Sequence, residues 1–403
     1  MTKLLYLVHR IPYPPNKGDK IRSFHFLKAL AEKYEVYLGT FIDDPDDKQY
    51  IDTLKVYCKD SFCIDLQPKF GKLKSLTGFL TGEALSLPYY RNSALQAWVD
   101  NTIAEQNIEY ALIFSSPMAQ YLKNHPEVSL VADFVDVDSD KWRQYAGSKN
   151  WPGSWVYQRE AQKLLDFETH TAGLAKSTVF VSEQEAQLFK QLAPENADKI
   201  SFVNNGVDTE FFDPQLSFAN PFAKNQAAIV FTGAMDYWAN VDAVVWFAQQ
   251  VFPWVKEQVP EVRFYVVGSK PTKAVQQLAD NDASVIVTGR VDDVRNYVAH
   301  ACVVVAPLRI ARGIQNKVLE AMAMAKPIVA TSAAMEGIPG NQSLEIAVAD
   351  NPQEFASQVV KILQQPMTAV AEHRRYVQAD FSWQHNGERL CQMLSDKGIE
   401  SLV

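Results

Sequence analysis

Short apolar runs alternate with helical patterns along nearly the whole chain. Runs at 3–9 (KLLYLVH), 35–41 (EVYLGTF), 109–115 (YALIFSS), 129–134 (SLVADF) and 177–182 (STVFVS) read as strands. A second series repeats the pattern at 227–233 (AAIVFTG), 262–268 (VRFYVVG), 284–288 (SVIVT), 302–307 (CVVVAP) and 327–331 (PIVAT). Amphipathic stretches such as 240–258 and 314–325 lie between them. Strands alternating with helices predict parallel sheets with helices on both faces. Runs that are apolar throughout predict strands buried on both sides. The series are separated by 204–225, which has two prolines, scattered aromatics and no clean period, and reads as a connector. Two α/β, Rossmann-like domains facing one another are expected, at 1–203 and 204–382. The tail from Phe381-Ser382-Trp383 reads as a final helix, 383–403, expected to pack back on the first domain.

Composition narrows the class. A length of 403 residues suits two domains, and 47% hydrophobic with 21% charged residues suits folded cores without staples. The net charge of -8 argues against a nucleic-acid partner while leaving room for a local basic pocket. Cys58, Cys63, Cys302 and Cys391 form no C-x-x-C pair and have no His cluster beside them. They read as reduced thiols of a cytoplasmic protein rather than a disulfide framework or a zinc site. The first apolar run is too short for a signal-peptide core, and no run of about 18 apolar residues suggests a membrane span.

The segment with most chemistry is 306–327 (APLRIARGIQNKVLEAMAMAKP). A strand ends at Pro307, a loop carries Arg309, Arg312 and Gly313, and a helix begins near Ile314. A loop-to-helix junction offers free backbone N–H groups and a positive dipole end, which suit phosphate. Lys317 and Glu320 are three apart and share a helix face. A cation for a diphosphate beside a carboxylate for sugar or ribose hydroxyls is nucleotide-sugar chemistry. The alternative is a solvated helix start with an ordinary Lys–Glu pair. Ala321, Met322, Ala323 and Ala325 weigh against it, because buried helices seldom keep isolated charges without a partner.

GIQNKVLEAMAMAKPIVAT resembles the donor-site helix of family 4 retaining glycosyltransferases of the GT-B fold. VNNGVDTEFF (203–212) resembles their interdomain segment, and FTGAMDYWANVDA (231–243) the first strand and loop of their C-terminal domain. VTGRVDDV (287–294) resembles their base-contacting loop, and PYPPNKGDKIR their first loop and helix. The ordered set is most similar to sugar transferases of exosortase/PEP-CTERM-associated exopolysaccharide loci. The resemblance implies a GT-B fold whose two Rossmann-like domains face across a cleft, with the acceptor side in 1–203 and the donor in 204–382. It implies that Glu320 holds the donor ribose and that Gly233 is at the donor; Gly289-Arg290-Val291 is either at the base or a simple strand-ending turn. The family's first glutamate, eight residues earlier, is Arg312 here, and the usual diphosphate-binding Arg and Lys are replaced by Ala234 and Asn240. Phosphate is therefore expected on Arg309, Arg312 or Lys317 with the helix start at Gly313 and Ile314. No metal or other cofactor is expected.

Three further segments carry two readings each. Gly18 and Asp19 open an amphipathic helix; Gly18 is either near the donor diphosphate or acceptor hydroxyl, or part of an ordinary cap. Asp133, Asp136 and Asp138 follow a strand, where open α/β sheets bind ligands. Asp136 or Asp138 is a candidate general base, the alternative being a capped acidic loop. Residues 68–90 mix Lys69, Lys72 and Lys74 with Phe70, Leu73, Leu76, Phe79 and Leu80. They form either a surface for anionic membrane, suited to a lipid-linked saccharide acceptor, or an amphipathic helix packed on its own domain. The expected activity is transfer of a sugar from a nucleotide-sugar donor to a saccharide acceptor, with retention. The competing readings are a nucleotide-sugar epimerase of the same fold and a non-catalytic scaffold of polysaccharide assembly.

Overall fold

The computed structural model describes the chain except for residues 16–17, 148–149, 225, 312, 339–343, 345, 366–369 and 396–403. It divides into two compact units: Met1–Asn205 with the chain from Asn386 onward, and Gly206–His385.

The first unit holds strands β1 (Thr2–Val8), β2 (Tyr34–Ile42), β3 (Asp60–Asp65), β4 (Tyr110–Phe114), β5 (Ser129–Val135), β6 (Ser177–Phe180) and β7 (Ile200–Phe202). They form one parallel sheet in the order β3-β2-β1-β4-β5-β6-β7. β1 is buried on both faces, as its unbroken apolar run requires. Leu5 and Leu7 share a core with Leu95 and Val99 of helix Ser93–Gln106. Tyr6 turns the other way, and its hydroxyl donates to Ser23 O of helix Gly18–Lys33 at 3.2 Å. The same helix carries Arg22 into the interior, where it meets Asp133 of β5 through two hydrogen bonds, 2.8 and 3.2 Å, and donates to Val203 O at 2.8 Å. In the last described helix, Gly387 lies against Ala29, and the Tyr34 hydroxyl donates to Cys391 O at 3.4 Å.

The second unit holds β8 (Ala228–Thr232), β9 (Arg263–Val267), β10 (Val285–Gly289), β11 (Val303–Ala306), β12 (Ile328–Ala330) and β13 (Ala347–Val348), parallel in the order β10-β9-β8-β11-β12-β13. The amphipathic stretch predicted at 240–258 is helical, but not uniformly so. Helix Trp238–Trp246 passes through a π turn at Phe247–Val251 into helix Phe252–Gln258. Pro253 explains the interruption, because it has no N–H to give the preceding turn. The aperiodic stretch after 204 is wrapped onto this unit. Val207 bridges Ser382, Phe212 is buried in the core, the Arg295 guanidinium stands 3.6 Å above the Phe211 ring, and the rings of Phe222 and Tyr265 lie 4.6 Å apart. No helix among the described residues is long and apolar enough to cross a membrane.

Candidate active site

In the second unit the chain order reverses beside β8: β9 lies on one side of it and β11 on the other. Open α/β sheets bind ligands outside the carboxyl ends of their strands at such a point. A cavity of 760 Å³ lies there. Its walls come from the loop after β8 (Gly233, Ala234), the loop after β9 (Gly268, Ser269, Lys270), the loop after β10 (Arg290, Val291) and the start of helix Asn316–Ala323.

Backbone packing shapes the first wall. A Cβ on Gly268 would stand 1.7 Å from Gly233 O, so only glycine lets the two strand ends approach this closely. Buried Asn240 donates to Ala234 O at 2.9 Å and pins the next turn. Thus Asn240 is a brace for the loop. Lys270 adopts φ 54, an uncommon conformation for a residue with a side chain, and its ammonium lies 3.3 Å from Asp236. Gly313, at φ 63, turns the chain into the opposite wall, where Ile314 and Gln315 line the cavity.

Helix Asn316–Ala323 packs Val318, Leu319, Ala321, Met322 and Ala323 into the core and turns Lys317 and Glu320 to the cavity. Gln315 stands at its N-cap position without a side-chain cap bond; its carbonyl accepts from Val318 N at 2.9 Å, while the N–H groups of Asn316 and Lys317 stand at the open start of the helix. Burial lowers the affinity of the Lys317 ammonium for its proton, against the pull of Glu320. Burial also lifts the Glu320 carboxyl to about 6, with Lys317 opposing the rise. Neither side chain has a hydrogen bond or ion pair to another described residue; the ammonium rests 5.5 Å from the Phe231 ring centre. Two largely desolvated, opposite charges without such partners in one cavity form a site built to receive polar ligand groups.

The cavity therefore gathers Gly233, Arg290, Val291, Ile314, Lys317 and Glu320 from the sequence reading. Arg309 is not among its walls: its guanidinium is bound to Asp242, one of the two bonds being 3.0 Å long. Arg312 lies outside the described residues. Lys270 and Ser269 were not anticipated, because nothing in a solvent-facing turn sequence marks it as a wall.

In the first unit, Gly18 opens its helix, and a Cβ there would meet nothing within 4 Å. Asp136 and Asp138 both bind Lys141, at 2.7 and 3.1 Å, so their charges are already partly matched. A second polar group, missed in the sequence, stands at the carboxyl ends of β1 and β2. Arg10 bridges Asp19 at 2.6 Å and Asp43 at 2.8 Å. His9 Nε2 lies 3.5 Å from Asp19, and its ring stacks on Phe114. Burial pushes the Asp19 carboxyl up, but His9 and Arg10 outweigh it and hold it at about 2. His9 Nδ1 and Asp43 Oδ1 are buried without a partner among the described residues. The available signal was positional: His9-Arg10 and Asp43 each directly follow a buried strand.

Residues 226–365 match the model of the family described as Glycosyl transferases group 1. An uncharacterized 44.6 kDa protein in the cps region of Klebsiella pneumoniae is 21% identical over 385 residues, covering 89% of this chain and 90% of that protein. Among solved structures, a glycosyltransferase from Rickettsia africae superposes with a TM-score of 0.65 at 14% identity, covering 98% of both chains. Anabaena HepE in complex with UDP gives 0.65 at 16% identity, over 98% of this chain and 99% of that one. WaaG, a glycosyltransferase involved in lipopolysaccharide biosynthesis, gives 0.62 at 14% identity, over 98% and 100%. At these identities the structural likenesses establish the fold, and the domain match adds the activity. With a Glycosyl transferases group 1 domain at 226–365 and two parallel-sheet α/β units of the GT-B fold, this protein is a glycosyltransferase.

Proposed function

We propose that the protein moves a sugar from a nucleotide-sugar donor to a saccharide acceptor, lipid-linked, in the assembly of a capsular or other extracellular polysaccharide. The observation that carries the donor half is the Lys317–Glu320 cavity, with two half-buried charges on one helix face at a helix start that has no side-chain cap. Glu320 accepts hydrogen bonds from the donor ribose. Lys317, Lys270 and Arg290 meet the diphosphate, together with the amides at the helix start, and Val291 lies against the base. The solved HepE structure, in complex with UDP, supports a nucleotide ligand, and the Klebsiella relative in the cps region supports a polysaccharide context.

Glycosyl transfer develops positive charge on the sugar and negative charge on the departing diphosphate. Fixed cations and backbone amides stabilise that leaving group without reorganising. Among the described walls of the donor cavity Glu320 is the only carboxylate, and it is assigned to the ribose rather than to nucleophilic attack. Attack on the face the diphosphate leaves, with retention, is therefore the proposed course. The acceptor hydroxyl is held by His9 and Asp43: His9 Nδ1 can accept from or donate to it by tautomer, and Asp43 Oδ1 can accept from it, with Arg10 and Asp19 fixing their orientation. Asp136 and Asp138 are assigned a lesser part because Lys141 engages both.

The test is incubation with UDP-, GDP-, ADP- and CMP-sugars, with and without saccharide acceptors, followed by NMR of the anomeric signals. A product with the donor's anomeric configuration supports the reading. An inverted product overturns retention, and an epimer formed from donor alone makes the protein an epimerase.

A further inference from the structure

The two short helices Pro68–Ser75 and Thr77–Thr81 are packed inside out. An amphipathic helix on a globular domain buries its large apolar residues and exposes its small and polar ones. Here the only buried residue of the first helix is Gly71, and the only one of the second is Gly78. Tyr89 covers Gly71, where a Cβ would stand 2.9 Å from its ring. Arg159 fastens the second helix by donating to Gly78 O at 2.7 Å. The large apolar side chains point the other way: Phe70 is 62% exposed, Leu73 65%, Leu76 51% and Leu80 90%. Their spacing of three, three and four residues keeps them on one continuous stripe. The face extends to a second element. Phe79 stacks on Trp155 of helix Gly153–Leu174, their ring centres 6.1 Å apart, and both Trp155 and nearby Trp151 are exposed.

Charge identifies what covers this stripe. Residues 68–82 contain Lys69, Lys72 and Lys74 and no Asp or Glu, in a chain whose net charge is -8. Lys69 and Lys72 are exposed, and their ammonium groups have no ion pair or hydrogen bond to a described residue. Lys74 bonds to Arg91 O at the edge of the stripe. A second copy of the chain, paired by two-fold symmetry, would set these lysines against one another. Exposed leucines and tryptophans interleaved with lysines match the boundary of an anionic bilayer, where apolar side chains enter the acyl region and ammonium groups meet lipid phosphates.

We propose that the face made by Phe70, Leu73, Leu76 and Leu80, with Trp151 and Trp155, docks this protein onto an anionic lipid surface. The inference stands apart from the donor reading, since docking needs no nucleotide.

The test is sedimentation of the full chain with vesicles of equimolar phosphatidylglycerol and phosphatidylcholine, and with phosphatidylcholine alone. The wild type binds the anionic vesicles, and added salt weakens binding. Leu73→Glu with Leu80→Glu lowers the vesicle partition at least about tenfold. Lys69→Gln with Lys72→Gln lowers it about fivefold per lysine and leaves both leucines in place. All four side chains are exposed, so the melting temperature should stay at the wild-type value in both variants. Absence of wild-type binding, or unchanged binding by either variant, overturns the proposal. So does a lipid-free dimer that the leucine changes dissociate, which would give the face to a second copy.

Discussion

Replacing Glu320 by Gln separates a ligand-binding carboxylate from a structural one, because the two roles predict opposite changes in stability. The Glu320 carboxyl is lifted from 4.5 to about 6 by burial. At 1.36 kcal/mol per pH unit, holding it ionised costs about 2 kcal/mol in the ligand-free protein. The folded value lies above the unfolded one, so its stabilising contribution is complete below pH 4.5 and is lost as pH rises through 6. At neutral pH the charge therefore works against folding. Gln has nearly the same shape and no charge, so the free variant should melt a few degrees higher than wild type at neutral pH. Nucleotide binding should move the other way. A hydrogen bond to a charged group contributes roughly 1.5–3 kcal/mol, so losing the carboxylate's hold on the ribose should weaken binding about ten- to a hundredfold. The assay is thermal melting with and without nucleoside diphosphate across a pH series. Wild-type affinity should fall as pH drops through about 6, while the variant's stays flat. A Glu320→Gln variant that melts lower without ligand yet keeps its full nucleotide-induced shift would refute the reasoning and return Glu320 to a structural role.

Other consequences are equally direct. Gly268→Ala forces a Cβ to 1.7 Å from Gly233 O, so the strand ends must separate. A loss of roughly 3 kcal/mol in denaturant unfolding is expected, with weaker nucleotide binding, and a neutral result would show that the contact is relaxed in solution. Glu168 accepts hydrogen bonds from Ser139 at 2.6 Å and Ser116 at 3.2 Å, and burial lifts it to about 8. Its stabilising contribution is full below about 4.5 and is lost as pH rises through 8, so Glu168→Gln should flatten the decline of melting temperature over that window. Arg22→Met strands the Asp133 carboxylate in the core and should cost about 3–5 kcal/mol, much of it recovered when Asp133→Leu is added.

The sequence located every strand that is paired on both sides and one edge strand, β10, and missed the other three edges. β3, β7 and β13 are all sheet edges. β3 runs DSFCID, with no fully buried position, and β13 has two residues. These three have a neighbour on one side only and lack the unbroken apolar run that marked β1 or β8, whereas the edge strand β10 keeps its VIV. The helix of Lys317 and Glu320 was legible because two charges interrupted an otherwise apolar face. Arg309 was not, since its partner Asp242 lies 67 residues away in the chain. The same limit applies to Pro68–Thr81. Its pattern is amphipathic, but only the packing of Gly71 under Tyr89 reveals which side faces outward. The polar group at His9 and Asp43 joins residues that directly follow two strands, and pairing of β1 with β2 is what brings them together.

The most direct test of the donor cavity is calorimetric titration of wild type and Lys317→Met with UDP, GDP and ADP, beside the matching nucleosides. One nucleoside diphosphate should bind the wild type in a one-to-one complex. Lys317→Met should weaken that diphosphate at least about tenfold while leaving the nucleoside's own weak binding unchanged. No binding by any diphosphate, or equal binding by wild type and variant, would contradict the placement of the donor at Lys317 and Glu320.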